Sequence, residues 1–342
     1  MAPTTLPKPT PPNPGMDTPR KRRTECISWR WHGNLGDDMI WAAQEEMFGS
    51  QFELGQYIDQ AEAVIVGGGT FITPAPEHPG LLEMSKRLPT AIFGTGASDP
   101  QISGSDHIGE WTKILAHCGF IGVRGPVSEE RILGWGADPD RVEWIGDSAL
   151  YFAEPEAPAR AETGRLAVNL GRTWGKLYGF DEPGLIQTMI ETLRQLAGRG
   201  WRITLVSAWQ PDDEVLEHVA ENVPVEAIER WHDDYNKALE SVKKFDLMVC
   251  EKLHVGVVAA CRNVPFVALN YRDKVLDFCR SIDWEPFSVS TEGLNPSQVC
   301  ERVDLLASKR TAYVDELNRS VRAVRERLTA AVPRAAAALK AE

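Results

Sequence analysis

Residues 246–278, DLMVCEKLHVGVVAACRNVPFVALNYRDKVLDF, admit few folds. Residues 246–250 are a short apolar run, residues 253–261 are small and apolar enough for a buried helix, and residues 265–269 are a second run of strand formers. Strand, helix and strand in this order make a βαβ unit. In an open α/β sheet the strand ends and the helix start face one crevice, where ligands bind. Lys252, His254, Tyr271 and Lys274 all fall at those ends. A helix starting near Leu253 places Lys252 and His254 around its first turn, where unpaired backbone N–H groups and the helix dipole attract anions. The same residues also fit the rim of a packed unit without chemistry, because a fold by itself assigns no site.

The rest of the chain repeats the pattern. Residues 26–31 read as a strand, followed by the turn His32-Gly33-Asn34-Leu35-Gly36-Asp37 and a helix over 38–48. Gly33 and Gly36 permit a tight turn, and Asp37 is placed to cap the helix. Residues 63–66 run straight into Gly67, Gly68 and Gly69, whose bare backbone suits either close approach to a ligand or crowded domain packing. Strands over 90–94 and 120–123 follow, and the second leads into Arg124-Gly125-Pro126-Val127-Ser128 and a helix with proline in its first turn. Arg124 is placed either to reach a ligand or to fix the helix start by a salt bridge.

The proline- and alanine-rich segment 153–161 breaks this series and reads as a linker. A second series then begins, with strands over 165–170 and 201–207 and helices over 185–196, 212–220 and 234–245 leading into the opening stretch. Arg172 sits at the end of its first strand, on the crevice side of Lys252 and His254. Trp174, Trp209 and Trp231 suit either stacking on sugar rings or plain packing. Helices from residue 296 onward are amphipathic. Two such series predict two doubly wound, Rossmann-like α/β domains facing a cleft, over residues 24–152 and 162–295. A disordered tail, residues 1–23, precedes them, with Met16 as a second candidate start, and C-terminal helices, residues 296–342, follow.

A net charge of −12 and a pI near 5.2 argue against a nucleic-acid binder, since such binding rests on clustered Lys and Arg. An anionic ligand therefore has to be held by a local basic pocket. The basic run 19–23 suits a solvated face or a peripheral contact with an anionic membrane, and no stretch is long and apolar enough to span a bilayer. Six scattered cysteines without a CxxC pair predict buried free thiols and a cytoplasmic location. No His and carboxylate cluster has metal-ligand spacing, so no metal is expected.

The run EKLHVGVVAACRNVPFVALNYRDKVLDF resembles the C-terminal signature of the polysaccharide pyruvyl transferase family. There a basic residue, a Leu or Phe and a His precede a small-residue helix, a G/N-V-P turn, a strand, and then a Tyr and a Lys. Lys252 stands where many members have Arg, which exchanges a two-pronged anion grip for a point charge. The turn around Asn34 resembles the family's N-terminal GN-x-GD signature. VRGPVSEERILGWGAD with VEWIGDSAL resembles its mid-chain pattern. The resemblance implies a glycosyltransferase-B-like layout and transfer of the pyruvyl group of phosphoenolpyruvate to two hydroxyls of a sugar or glycan precursor, forming a ketal and releasing phosphate. No cofactor beyond that donor is implied.

Under this reading His254 is the acid, and Arg172, Lys252, Tyr271 and Lys274 hold the donor. The acceptor sits in the first domain against Asn34, Asp37, Gly67, Gly68, Gly69 and Arg124. Asp37 is also a candidate base. A nucleotide-sugar-dependent glycosyltransferase of the same fold type is the alternative, and a sugar or anion sensor without turnover is a third reading.

Overall fold

The computed structural model describes residues 20–29, 33–73, 78, 80–103, 109–156, 163–232 and 234–341. Short apolar runs form the strands of two all-parallel sheets whose central strands are buried on both faces, as parallel sheets require. The first sheet holds β1 (Arg22–Ile27), β2 (Phe52–Gly55), β3 (Ala63–Gly67), β4 (Thr90–Thr95), β5 (Phe120–Val123) and β6 (Val142–Trp144), in the order β2-β1-β3-β4-β5-β6. The second holds β7 (Arg165–Asn169), β8 (Arg202–Ser207), β9 (Ala227–Arg230), β10 (Leu247–Cys250), β11 (Phe266–Asn270) and β12 (Ser288–Ser290), in the order β9-β8-β7-β10-β11-β12. The winding reverses between β1 and β3 in one sheet and between β7 and β10 in the other. Such switch points open a crevice at the carboxyl ends of the strands.

The helices are α1 (Leu35–Phe48), α2 (Leu81–Arg87), α3 (Pro100–Ser103), α4 (Trp111–His117) and α5 (Pro126–Gly134) in the first domain. The second has α6 (Glu182–Gly198), α7 (Asp213–Asn222), α8 (Tyr235–Ser241), α9 (Leu253–Cys261), α10 (Asp273–Ser281) and α11 (Pro296–Ser308). The last, α12 (Arg310–Ala338), ties the domains together. Leu317, Val321 and Val324 join the core of the second domain, whereas Leu328, Ala331 and Ala335 join Phe48, Phe52 and Phe93 in the first. Leu35, Met39 and Ile40 of α1 also belong to the second domain's core, so the apolar interior is continuous across the boundary. Among the described residues no helix is long and apolar enough to cross a membrane. All six cysteines are buried, and none forms a disulfide.

The chain departs from the sequence expectations at several boundaries. The first strand starts at Arg22, inside the expected tail, because Arg22 and Arg23 pair in register with Phe52 and Glu53 of β2. Glu62 fixes this edge by accepting from Arg23 N at 3.0 Å and pairing with Arg20 at 2.8 Å, and Arg22 Nη1 donates to Leu339 O at 2.7 Å. Residues 1–19 and 30–32 lie outside the described residues, as do residues 157–161 of the expected linker. Residues 153–156 are docked on the second domain: Glu154 N donates to Cys261 O at 2.9 Å, and the Glu154 carboxylate pairs with Lys243 and Arg262. The strands β2 (FELG) and β9 (AIER) carry no apolar run, because both are edge strands with exposed side chains.

Candidate active site

Asn169 ends β7 and its side-chain oxygen accepts from Lys252 N at 2.8 Å, so the switch-point strands β7 and β10 are locked at their carboxyl ends. The Lys252 arm then crosses Gly171. A Cβ at Gly171 would lie 2.4 Å from Lys252 Cε and 2.2 Å from Asp212 Oδ1, so only glycine lets the arm through. Lys252 Nζ ends 2.5 Å from Arg172 O and 3.3 Å from the buried Asp212 carboxylate, with the rings of Trp209 and Tyr271 5.7 and 5.9 Å away. Burial works against the Lys252 charge, but Tyr271, Asp212 and Glu251 outweigh it and raise its pKa.

Tyr271, Arg272 and Lys274 follow β11. Burial works to raise the Tyr271 pKa, but Lys274, Lys252 and Arg272 outweigh it and lower it, while burial lowers that of Lys274, whose ammonium is 5.1 Å from the Tyr271 ring. Lys252, Tyr271, Arg272 and Lys274 line a cavity of about 260 Å³ together with Arg172, Trp174, Trp209, His254 and Asn34, and no described lining residue is Asp or Glu. The buried carboxylates lie behind it. Glu251 accepts from Gly171 N at 2.7 Å, and burial pushes its pKa up to about 7 against the pull of Lys252.

His254 lies in the first turn of α9, with Nε2 3.6 Å from Asp147 Oδ2, an ion-pair distance longer than a hydrogen bond. Asp147 is fully buried, caps the short helix after it through Ala149 N at 3.0 Å, and lies 3.3 Å from the buried Arg124 Nε. Burial works to raise the Asp147 pKa, but His254 and Arg124 outweigh it and hold the carboxyl ionised. On the other side of the ring a Cβ at Gly36 would lie 1.8 Å from His254 Nδ1, so the first domain's glycine turn closes directly on the imidazole. That turn is fixed across the cleft by Leu35 N donating to Ala208 O at 3.0 Å and by an Asn34–Trp209 bridge.

A second cavity of about 380 Å³ lies on the first domain's side and shares Asn34, Leu253, His254, Arg272 and Lys274 with the first. His254 thus stands where two compartments of one cleft meet.

The model of the family described as polysaccharide pyruvyl transferase matches residues 34–273, about two thirds of the chain. The chain belongs to this family. No curated protein matches its sequence. Among solved structures, a putative UDP-N-acetylglucosamine 2-epimerase from Listeria monocytogenes is 13% identical with a TM-score of 0.57, over 87% of this chain and 91% of that one. The UDP-GlcNAc 2-epimerase from Methanocaldococcus jannaschii gives 12% and 0.53 over 84% and 93%. A kitacinnamycin glycosyltransferase gives 13% and 0.55 over 94% and 100%. At these identities the likeness establishes the fold, two Rossmann-like domains in the glycosyltransferase-B manner.

The family's C-terminal signature supplies Lys252, His254, Tyr271 and Lys274 to one wall of the cleft, and Arg172 joins them there. The Arg172 guanidinium is shared with Glu182 at 3.3 Å and Glu214 at 2.8 Å. On the first domain's side Asn34, Asp37, Gly69 and Arg124 line the second cavity. Asn34, not Asp37, caps α1, accepting from Gly36 N and Asp37 N at 3.0 and 3.4 Å; Asp37 lies inside the first turn.

Gly67 and Gly68 line neither cavity. Their missing side chains make room for Gln44 and Ile40 of α1, at 1.8 and 2.4 Å from the positions a Cβ would take, so crowded packing explains them. Arg124 both lines the cavity and donates to Gly69 O. Trp231 is wholly buried, whereas Trp174 and Trp209 meet edge to face at the cavity rim. Sequence reasoning missed Asp147, Asp212, Glu251 and Arg272. The glycine-aspartate turn of WIGDSA was the only signal for Asp147, and its meeting with His254 is purely tertiary.

Proposed function

We propose that this family member moves the pyruvyl group of phosphoenolpyruvate onto two hydroxyls of a glycan acceptor, forming a cyclic ketal and releasing phosphate. The observation that carries this reading is the acid-free cavity of about 260 Å³ lined by Lys252, Lys274, Arg172, Arg272 and His254. It lies below the ~300–1,000 Å³ of pockets for larger ligands and suits a small molecule bearing a carboxylate and a phosphate. Lys252, Lys274 and the arginines hold those two groups and stabilise the departing phosphate. His254 gives a proton to the donor's methylene carbon, which becomes the methyl group and leaves the adjacent carbon electrophilic.

One acceptor hydroxyl adds to that carbon. The second displaces phosphate by breaking the carbon–oxygen bond. Of the two hydroxyl protons, one restores the proton His254 gave up and the other leaves on the phosphate, so the balance closes without a redox partner. Asp147 stands 3.6 Å behind the imidazole Nε2 and orients the ring. A nucleotide-sugar donor fits less well, because the same cavity offers no described carboxylate for a ribose.

The test is acceptor-dependent phosphate release from phosphoenolpyruvate, scanned over a glycan panel, with ketal formation followed by NMR. His254→Ala should abolish turnover while donor affinity stays within about two-fold. Turnover that survives in His254→Ala would remove the imidazole from the mechanism.

A further inference from the structure

A third cavity, of about 400 Å³, continues the acceptor side of the cleft. It shares Trp29 and Phe71 with the second cavity, so these two side chains form the wall between them. Beyond that wall it is lined by Ile58, Gln56, His78 and Glu25. Two features mark it as built. Trp29 is 49% exposed and Ile58 61%, in a domain whose other large apolar side chains are mostly buried. Ile58 also has φ +35°, a left-handed backbone that a β-branched side chain adopts only under strain.

The strain is held in place from below. Glu25, in the middle of β1 and 2% exposed, accepts from Ile58 N at 2.8 Å and from Tyr57 N, and His78 lies 3.7 Å from its other oxygen. Strained residues fixed by a buried polar anchor concentrate at ligand clamps.

We propose that this cavity is a second glycan subsite: a sugar residue neighbouring the pyruvylated one lies with its apolar ring face on Trp29 and its edge against Ile58. The inference rests on the acceptor being a glycan, as proposed above, and adds that the enzyme reads at least two of its residues. Each of the two acceptor-side cavities exceeds the ~300 Å³ lower end of small-molecule pockets, so each has room for a ring. An aromatic platform beside polar Gln56, Glu25 and His78 matches a pyranose, which presents C–H bonds on one face and hydroxyls around its edge.

The test uses 5-fluorotryptophan-labelled protein, with the Trp29 resonance assigned through Trp29→Phe. It is titrated with methyl pyranosides of glucose, galactose, mannose and N-acetylglucosamine, and with β1,4 disaccharides of the same sugars. At least one disaccharide should shift Trp29 and bind about ten-fold more tightly than its monosaccharide. Ile58→Gly should erase that difference while leaving phosphoenolpyruvate affinity unchanged. Its melting temperature should be unchanged or higher, since glycine accepts φ +35° without strain. Equal affinities within every pair, or a Trp29 signal that no sugar moves, would overturn the subsite. Failure of wild-type protein to bind phosphoenolpyruvate, with the disaccharide preference intact, would instead remove pyruvyl transfer and leave the subsite standing.

Discussion

His254 owes its position to two residues of the first half of the chain. Gly36 leaves no space beside Nδ1, and Asp147 stands behind Nε2. Gly36→Ala should push the imidazole aside and lower turnover about 10²-fold, the cost of roughly 1 Å of misplacement, with donor affinity little changed. A steady-state comparison with His254→Ala checks this, and Gly36→Ala at wild-type rate would contradict the geometry.

Glu251 makes a pH prediction. Burial raises its pKa from the ordinary 4.5 to about 7, so between those values the folded protein keeps a proton that the unfolded chain has lost. Stability therefore falls as pH rises through that window. Glu251→Gln keeps an acceptor for Gly171 N and should remove the fall, leaving the variant more stable by on the order of 3 kcal/mol at pH 8 and nearly equal at pH 4.5. Urea titrations across pH 4.5 to 8 measure it, and parallel curves would refute it.

Helix α10 joins the basic wall of the cleft to the other domain. It begins directly after Tyr271 and Arg272, and its buried Asp277 accepts from Val127 N at 2.8 Å, Ser128 N at 3.3 Å and Ser128 Oγ at 2.6 Å, capping α5 from across the boundary. Asp273 pairs with Arg131 of the same helix α5, and Tyr178 donates to Asp99 nearby. The mid-chain motif RGPVSEER thus serves domain docking through Ser128 and Arg131, while Arg124 faces the cleft. Asp277→Ala leaves two amides without partners and should cost about 1–3 kcal/mol, with faster hydrogen exchange at Val127 and Ser128. Unchanged protection at those amides would show that α5 does not depend on α10 for its cap.

At the scale of the molecule, the parts legible in the sequence were those with local causes. The βαβ unit around Lys252 and His254 reads from apolar runs alone, and α9 spans Leu253–Cys261 as its small residues predict. The edge strands β2 and β9 were not legible, because half-exposed strands carry no apolar run. The cap on α1 went to Asn34 rather than Asp37 because the turn is pinned to Ala208 of the other domain. Gly67 and Gly68 read as ligand-facing because a glycine tract does not say on which side its crowding lies. Asp147 meets Arg124 and His254, and Asp212 meets Lys252, only once loops far apart in the chain are assembled.

The central claim, a small carboxylate- and phosphate-bearing donor in the basic cavity, is tested most directly by calorimetry. Phosphoenolpyruvate and a panel of UDP- and GDP-sugars are titrated into wild type and Lys252→Ala. Saturable phosphoenolpyruvate binding that weakens at least ten-fold, or ~1.4 kcal/mol, in the variant is the expected result. Binding of a nucleotide sugar with none of phosphoenolpyruvate would contradict it and make the cavity a diphosphate site.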